Sequence, residues 1–173
     1  MKKTNLPPLL RRVTSICAGL LLTFTATSAE ATQQYLPNAT VTPGAINPAV
    51  TQANIASTIC TLGFTKKIRP PVSYTTQLKR KQLSTPPYSA YGTTDTRSFE
   101  EDHLISLELG GSPYSPKNLW PEPWSGPNGA RLKDQLENKL HAMVCSHQIT
   151  LAQAQKEIAT NWYEAYRRNI LQN

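Results

Sequence analysis

Asp102 and His103 stand side by side in the stretch E-E-D-H-L-I-S-L-E-L-G-G-S-P-Y-S-P-K-N-L-W-P-E-P-W, which runs from Glu100 to Trp124. The pair joins a hard oxygen ligand to an imidazole whose ordinary pKa lies near neutrality. Hydrolysis of a phosphodiester needs an activated water, charge neutralisation on the phosphate and help for the leaving oxygen. A neutral histidine suits the first task, and a divalent cation on a carboxylate suits the other two. Asn118, beyond Gly110-Gly111, is placed to hydrogen-bond across the connection and fix the backbone of the histidine. Adjacent strand residues point to opposite faces. Asp102 and His103 therefore converge only where the strand bends or where the ion sits at its edge.

The surrounding elements must supply that geometry. Leu104, Ile105, Leu107 and Leu109 are too apolar for an exposed loop, so residues 99–109 read as a strand that ends at the Gly-Gly turn. Asn118-Leu119-Trp120 reads as the returning strand, cut off by Pro121 and Pro123, and residues 125–129 as a turn. From Ala130 to Ser146, Leu132, Leu136, Leu140, Met143 and Val144 fall at helical spacing on one face, with Arg131, Lys133, Asp134, Glu137 and Lys139 mostly elsewhere. Thr150 and Gln153 have capping-box spacing and open a second helix, whose stripe is Leu151, Ala154, Ile158, Trp162, Ala165 and Tyr166. Upstream, residues 32–46 read as an extended lead-in. Asn47-Pro48 reads as the start of a short helix ending near Cys60. Residues 63–71 read as a basic loop, Ser73 as the cap of a helix reaching Leu83, and residues 84–96 as irregular. The expected fold class is α+β, a helix-dominated small domain around a central hairpin-helix unit.

Asp102-His103, Gly110-Gly111 and Asn118-Leu119 resemble the first elements of the HNH, or ββα-metal, endonuclease motif. From about Pro43 to Tyr166 the chain resembles a family of small exported bacterial HNH-type endonucleases. The segments that carry the likeness include T-P-G-A-I-N-P-A-V-T-Q-A-N-I-A-S-T-I-C, I-R-P-P-V-S-Y-T, E-D-H-L-I-S-L-E-L-G-G, N-L-W-P-E-P, K-D-Q-L-E-N-K-L-H and A-Q-K-E-I-A-T-N-W-Y-E-A-Y. The resemblance implies His103 as general base, Asp102 as metal ligand and Asn118 as the asparagine that braces the hairpin. It also implies a His or Asn at the start of the next helix. No histidine stands there. Asn128, with Arg131 three residues on, takes that place, either as an oxygen ligand or as a turn and cap residue. Arg131 and Lys133 are the residues to hold phosphate at the helix N-terminus, where backbone N–H groups also favour anions; as plain surface charges they have an equally simple reading. Asp with Asn suits Mg²⁺ or Mn²⁺ better than Zn²⁺. The implied substrate is nucleic acid, DNA and by extension RNA, cut without sequence preference.

The front end reads as an export signal. Lys2, Lys3, Arg11 and Arg12 precede a largely apolar run from Val13 to Ala26, and Ala29-Glu30-Ala31 supplies a small-x-small cleavage pattern. Residues 1–31 are thus the predicted signal peptide and 32–173 a single domain in a secreted or periplasmic bacterial product. No stable membrane insertion is expected after cleavage, since a span needs roughly 20 apolar residues. Removing the signal leaves 14 Lys/Arg against 10 Asp/Glu, so the formal charge falls from +7 to +4. That balance favours a polyanion without requiring one. The exported chain keeps Cys60 and Cys145, which predict one disulfide. A zinc pair finds no C-x-x-C neighbour, and a catalytic thiol finds no base nearby. His141 and His147 read as ordinary surface or packing residues, and Trp120, Trp124 and Trp162 as core rather than stacking platforms. Two rivals stand beside the nuclease: a non-catalytic, disulfide-stabilised polyanion- or envelope-binding domain, and a hydrolase of another envelope polymer that uses Glu101 or Glu108 with Asp102.

Overall fold

The computed structural model describes Met1 and residues 35–172, so the predicted signal peptide lies outside the described residues apart from Met1. Among the described residues, four α-helices pack with one two-stranded antiparallel sheet, which makes the domain α+β. They are α1 (Phe64–Ile68), α2 (Val72–Leu83), α3 (Ala130–Cys145) and α4 (Leu151–Tyr166). The strands are β1 (Phe99–His103) and β2 (Leu119–Pro123), paired so that Asp102 faces Trp120 and His103 faces Leu119. Pro121 and Pro123 are tolerated because β2 has a partner on one side only.

α3 and α4 pack together over a short connection and supply most of the core. Leu136, Leu140, Val144, Ile158 and Trp162 are buried there with Trp120 from β2. The predicted capping box is present: Thr150 Oγ1 accepts from the Gln153 N–H at 3.2 Å, while Gln153 Oε1 accepts from the Thr150 N–H at 2.8 Å. Asn161 breaks α4 with extended backbone angles, and its Oδ1 accepts from the Glu164 N–H, so it caps the segment that follows. α2 meets the sheet through side chains. Lys79 Nζ donates to the Phe99 carbonyl at 2.6 Å and Gln82 Nε2 to the Leu119 carbonyl at 2.8 Å.

Several expectations need correction. The first helix is a 3₁₀ segment, Gln52–Ser57, and part of the expected basic loop is α1. The strand stops at His103 rather than Leu109. From Leu104 onward the backbone turns inward, and Leu107–Leu109 is a 3₁₀ turn. Gly110-Gly111 is therefore not a hairpin turn. It lets this buried loop lie against the N-terminal lead-in: Gly110 O accepts from the Asn47 N–H, and Ile46 bridges to Gly111. Gly110 has φ +71°, and a Cβ on Gly111 would stand 1.7 Å from the Ile105 carbonyl oxygen. Neither position admits a side chain. Among the described residues no helix is long and apolar enough to cross a membrane.

Candidate functional site

Asn118 is fully buried and uses its whole amide. Its Oδ1 accepts from the Ile105 N–H at 2.9 Å and the Ala45 N–H at 3.3 Å. Its Nδ2 donates to the carbonyls of Ile105 and Ser112, each at 3.0 Å. A primary amide carries the same donor and acceptor as a peptide group, so Asn118 extends the ladder by one rung where β1 has already turned away. It braces Ile105 and the lead-in rather than the backbone of His103. Its own carbonyl takes the Leu104 N–H at 2.8 Å, one residue beyond the histidine.

His103, the last residue of β1, is buried, and its Nε2 lies 3.0 Å from the Pro113 carbonyl oxygen. A carbonyl only accepts, so Nε2 carries the proton and Nδ1 keeps the lone pair. Burial holds the imidazole below its usual pKa, against the pull of the Asp102 carboxylate. The ring is therefore a neutral base at pH 7.

Asp102 turns the other way, towards α3. Its Oδ2 accepts from Lys133 Nζ at 2.6 Å, and the same ammonium donates to the His103 carbonyl at 2.8 Å and to Glu137 Oε1. Three acceptors satisfy all three N–H groups of a lysine that is 1% exposed. The expectation that Lys133 faces a phosphate is thus corrected. It sits i, i+4 to Glu137 on the inner side of α3, and its charge stays inside because carboxylates meet it there. Burial disfavours the ammonium, but Asp102, Glu137 and Glu122 outweigh it and raise its pKa. Arg131, by contrast, is exposed in the first turn of α3.

Glu122 completes the cluster; on sequence it is one of four acids, with Glu100, Glu101 and Glu108, that could add a ligand but read more simply as solvated charges, and its burial corrects the solvated reading. It is fully buried, and neither carboxyl oxygen finds a donor among its neighbours. Burial, then the adjacent Asp102, push its pKa well above the ordinary carboxylate range. As a protonated acid it has one proton to give, and Asp102 receives it. Asp102 itself is held low: burial raises it, but Lys133 and the Glu122 hydrogen bond prevail. Glu137 is pushed up to about 8, burial exceeding the pull of Lys133. Glu100, on the same strand, is pushed up to about 7 by burial and by Asp102.

Fully ionised, Asp102, Glu122 and Glu137 against Lys133 leave a formal excess of two negative charges. Protons carry part of that excess, which a hard divalent cation would displace. The donor chemistry, all oxygen, fits Mg²⁺ or Mn²⁺. Asn128 is buried in the turn before α3. Among the described residues, the group whose donor atoms all lie within 4.8 Å of one another is a different one: Cys60, His141 and Cys145. The predicted disulfide joins Cys60 to Cys145 and ties the end of the 3₁₀ segment's turn to the last residue of α3. Trp120 and Trp162 are fully buried, whereas Trp124 is exposed. Compared with protein-family models, curated proteins and solved structures, the chain finds no match.

Proposed function

We propose that the protein is a metal-dependent endonuclease that hydrolyses phosphodiester bonds in nucleic acid, DNA first and RNA by extension, with β1, β2 and α3 as its ββα unit. The observation that carries the reading is the tautomer of His103. Pro113 fixes the proton on Nε2, burial keeps the ring neutral, and Nδ1 is left as the atom that takes a proton from water. Asp102 is the metal ligand, with Glu122 beside it and Asn128 as a third oxygen. The cation supplies phosphate neutralisation and leaving-group help when bound. Arg131 is the exposed cation for the substrate backbone. The action takes place outside the cytoplasm, as the signal-like front end implies.

Two observations favour the non-catalytic rival, a polyanion- or envelope-binding domain: Lys133 already seats an ammonium on Asp102, and Asp102 turns towards α3 while His103 turns towards Pro113. Plasmid nicking separates the two readings. The purified protein is expected to cut supercoiled DNA with Mg²⁺ or Mn²⁺ and to stop in chelator. His103→Ala should lower the rate by about 10²–10⁴-fold, the usual worth of a general base, with circular dichroism unchanged. Absence of cutting with every divalent ion, or full activity in that variant, overturns the reading.

A further inference from the structure

Lys133, Glu137, His141 and Cys145 follow one another at four-residue intervals along α3 and form one polar ridge. The first two serve the Asp102 cluster. The last two belong to a second group, where they meet Cys60. His141 Nε2 lies 3.3 Å from Cys145 Sγ, and the donor atoms of Cys60, His141 and Cys145 all fall within 4.8 Å of one another. On the far side of the ring, Nδ1 stands 3.7 Å from Glu108 Oε2. A tetrahedral zinc ion, with Zn–S of about 2.3 Å and Zn–N of about 2.1 Å, keeps sulfur and nitrogen donors about 3.6 Å apart. The imidazole therefore already stands at ligand separation from one sulfur. Zinc-bound histidines commonly turn their other nitrogen to a carboxylate, which fixes the tautomer. Glu108 fills that position here.

We propose that, when the Cys60–Cys145 disulfide is reduced, the two thiolates and His141 Nε2 bind one Zn²⁺ ion, with Glu108 bracing the imidazole. A dithiol supplies the two electrons and two protons that break the S–S bond, and becomes a disulfide itself. Zinc then displaces the proton of each thiol. In the disulfide form Nε2 carries the ring proton, because it donates to the Ile59 carbonyl at 3.0 Å. On metal binding that proton moves to Nδ1, the nitrogen facing Glu108. Three protein ligands leave the fourth position to water. The site shares no residue with the Asp102–His103 site and does not depend on the nuclease reading.

Cobalt, a coloured stand-in for zinc, gives the test. The full chain is reduced with a phosphine under anaerobic conditions and titrated with Co²⁺. One equivalent should produce thiolate-to-cobalt charge-transfer absorption and tetrahedral visible bands, both lost on adding Zn²⁺. The oxidised protein should show neither. His141→Ala should weaken binding at least 100-fold and Glu108→Gln about 10-fold, the range for an outer carboxylate. His103→Ala should bind like wild type. If the reduced chain unfolds without metal, recovery of helical dichroism on adding Zn²⁺, in wild type but not His141→Ala, reads the same event. No charge-transfer band in excess cobalt, no metal-driven refolding, or equal affinity in His141→Ala overturns the proposal.

Discussion

Asn118→Asp exchanges one atom group for another of nearly the same shape, so its effect isolates hydrogen-bond chemistry from packing. The side chain is fully buried, and Nδ2 donates to two carbonyls, those of Ile105 and Ser112. In the variant an oxygen faces both. Ionised, it places a negative charge against two carbonyl oxygens with no donor. Protonated, it supplies one O–H and leaves the second carbonyl without a partner, which costs about 1–3 kcal/mol. Keeping that proton at pH 7 on a group whose ordinary pKa is about 3.9 costs about 1.4 kcal/mol per pH unit, or roughly 4 kcal/mol. The protonated route governs, and the deficit at pH 7 is about 5–7 kcal/mol, comparable with the whole stability of a small domain at about 5–15 kcal/mol.

The pH dependence gives the sign. The buried acid has its pKa raised above the unfolded value, so its share of the deficit is absent below about pH 4 and grows as pH rises towards the folded pKa. Urea unfolding of variant and wild type, followed by tryptophan fluorescence at pH 4 and pH 7, should show a difference of about 1–3 kcal/mol at the lower pH and roughly 4 kcal/mol more at the higher. Asn118→Ala, which has no titrating group, should show a loss that does not move with pH. Equal deficits for Asn118→Asp at both pH values, or wild-type stability at pH 7, would refute the account of Asn118 as a buried peptide-like rung.

Two further predictions concern buried charge. Glu101 is buried with no partner for either carboxyl oxygen, and burial pushes its pKa up to about 9 against the pull of Lys79. Because that value is raised above the unfolded carboxylate's, the stability it supports is present below about pH 4.3 and is lost as pH rises through about 9. Glu101→Gln should flatten the fall in urea midpoint between pH 5 and 9 and make the variant the more stable protein at pH 9; an unchanged slope would count against it. Lys133→Met leaves Asp102, Glu137 and the His103 carbonyl without their common donor, and should cost about 3–5 kcal/mol. Added Mg²⁺ should restore more of the lost urea midpoint in this variant than it adds to wild type, and no loss on substitution would show that the buried ion pair is not what fixes β1 to α3.

The parts of the fold that could be read from sequence are those whose signal is local. α3 and α4 show long apolar stripes, and the Thr150–Gln153 box marks its own helix start. Leu104 to Leu109 misled because hydrophobicity reports burial rather than backbone shape. These residues are apolar because α1, α3 and α4 pack over the 3₁₀ turn and the lead-in lies along its end, and the amide of Asn118 makes the pairing that a longer strand would have made. Lys133 misled for a related reason. It lies three residues before Leu136 and seven before Leu140, spacing that belongs to the inner face of α3, and its placement at the surface rested on charge alone. Charge alone keeps a lysine at the surface only where no carboxylate reaches the core side of the helix. Glu137 answers it one turn away and was visible. Asp102 and Glu122 arrive from β1 and β2, and only the strand pairing brings them there. The charge of a residue therefore decides its burial only together with the charges that folding delivers to it, and a lysine between three acids is a residue for the interior.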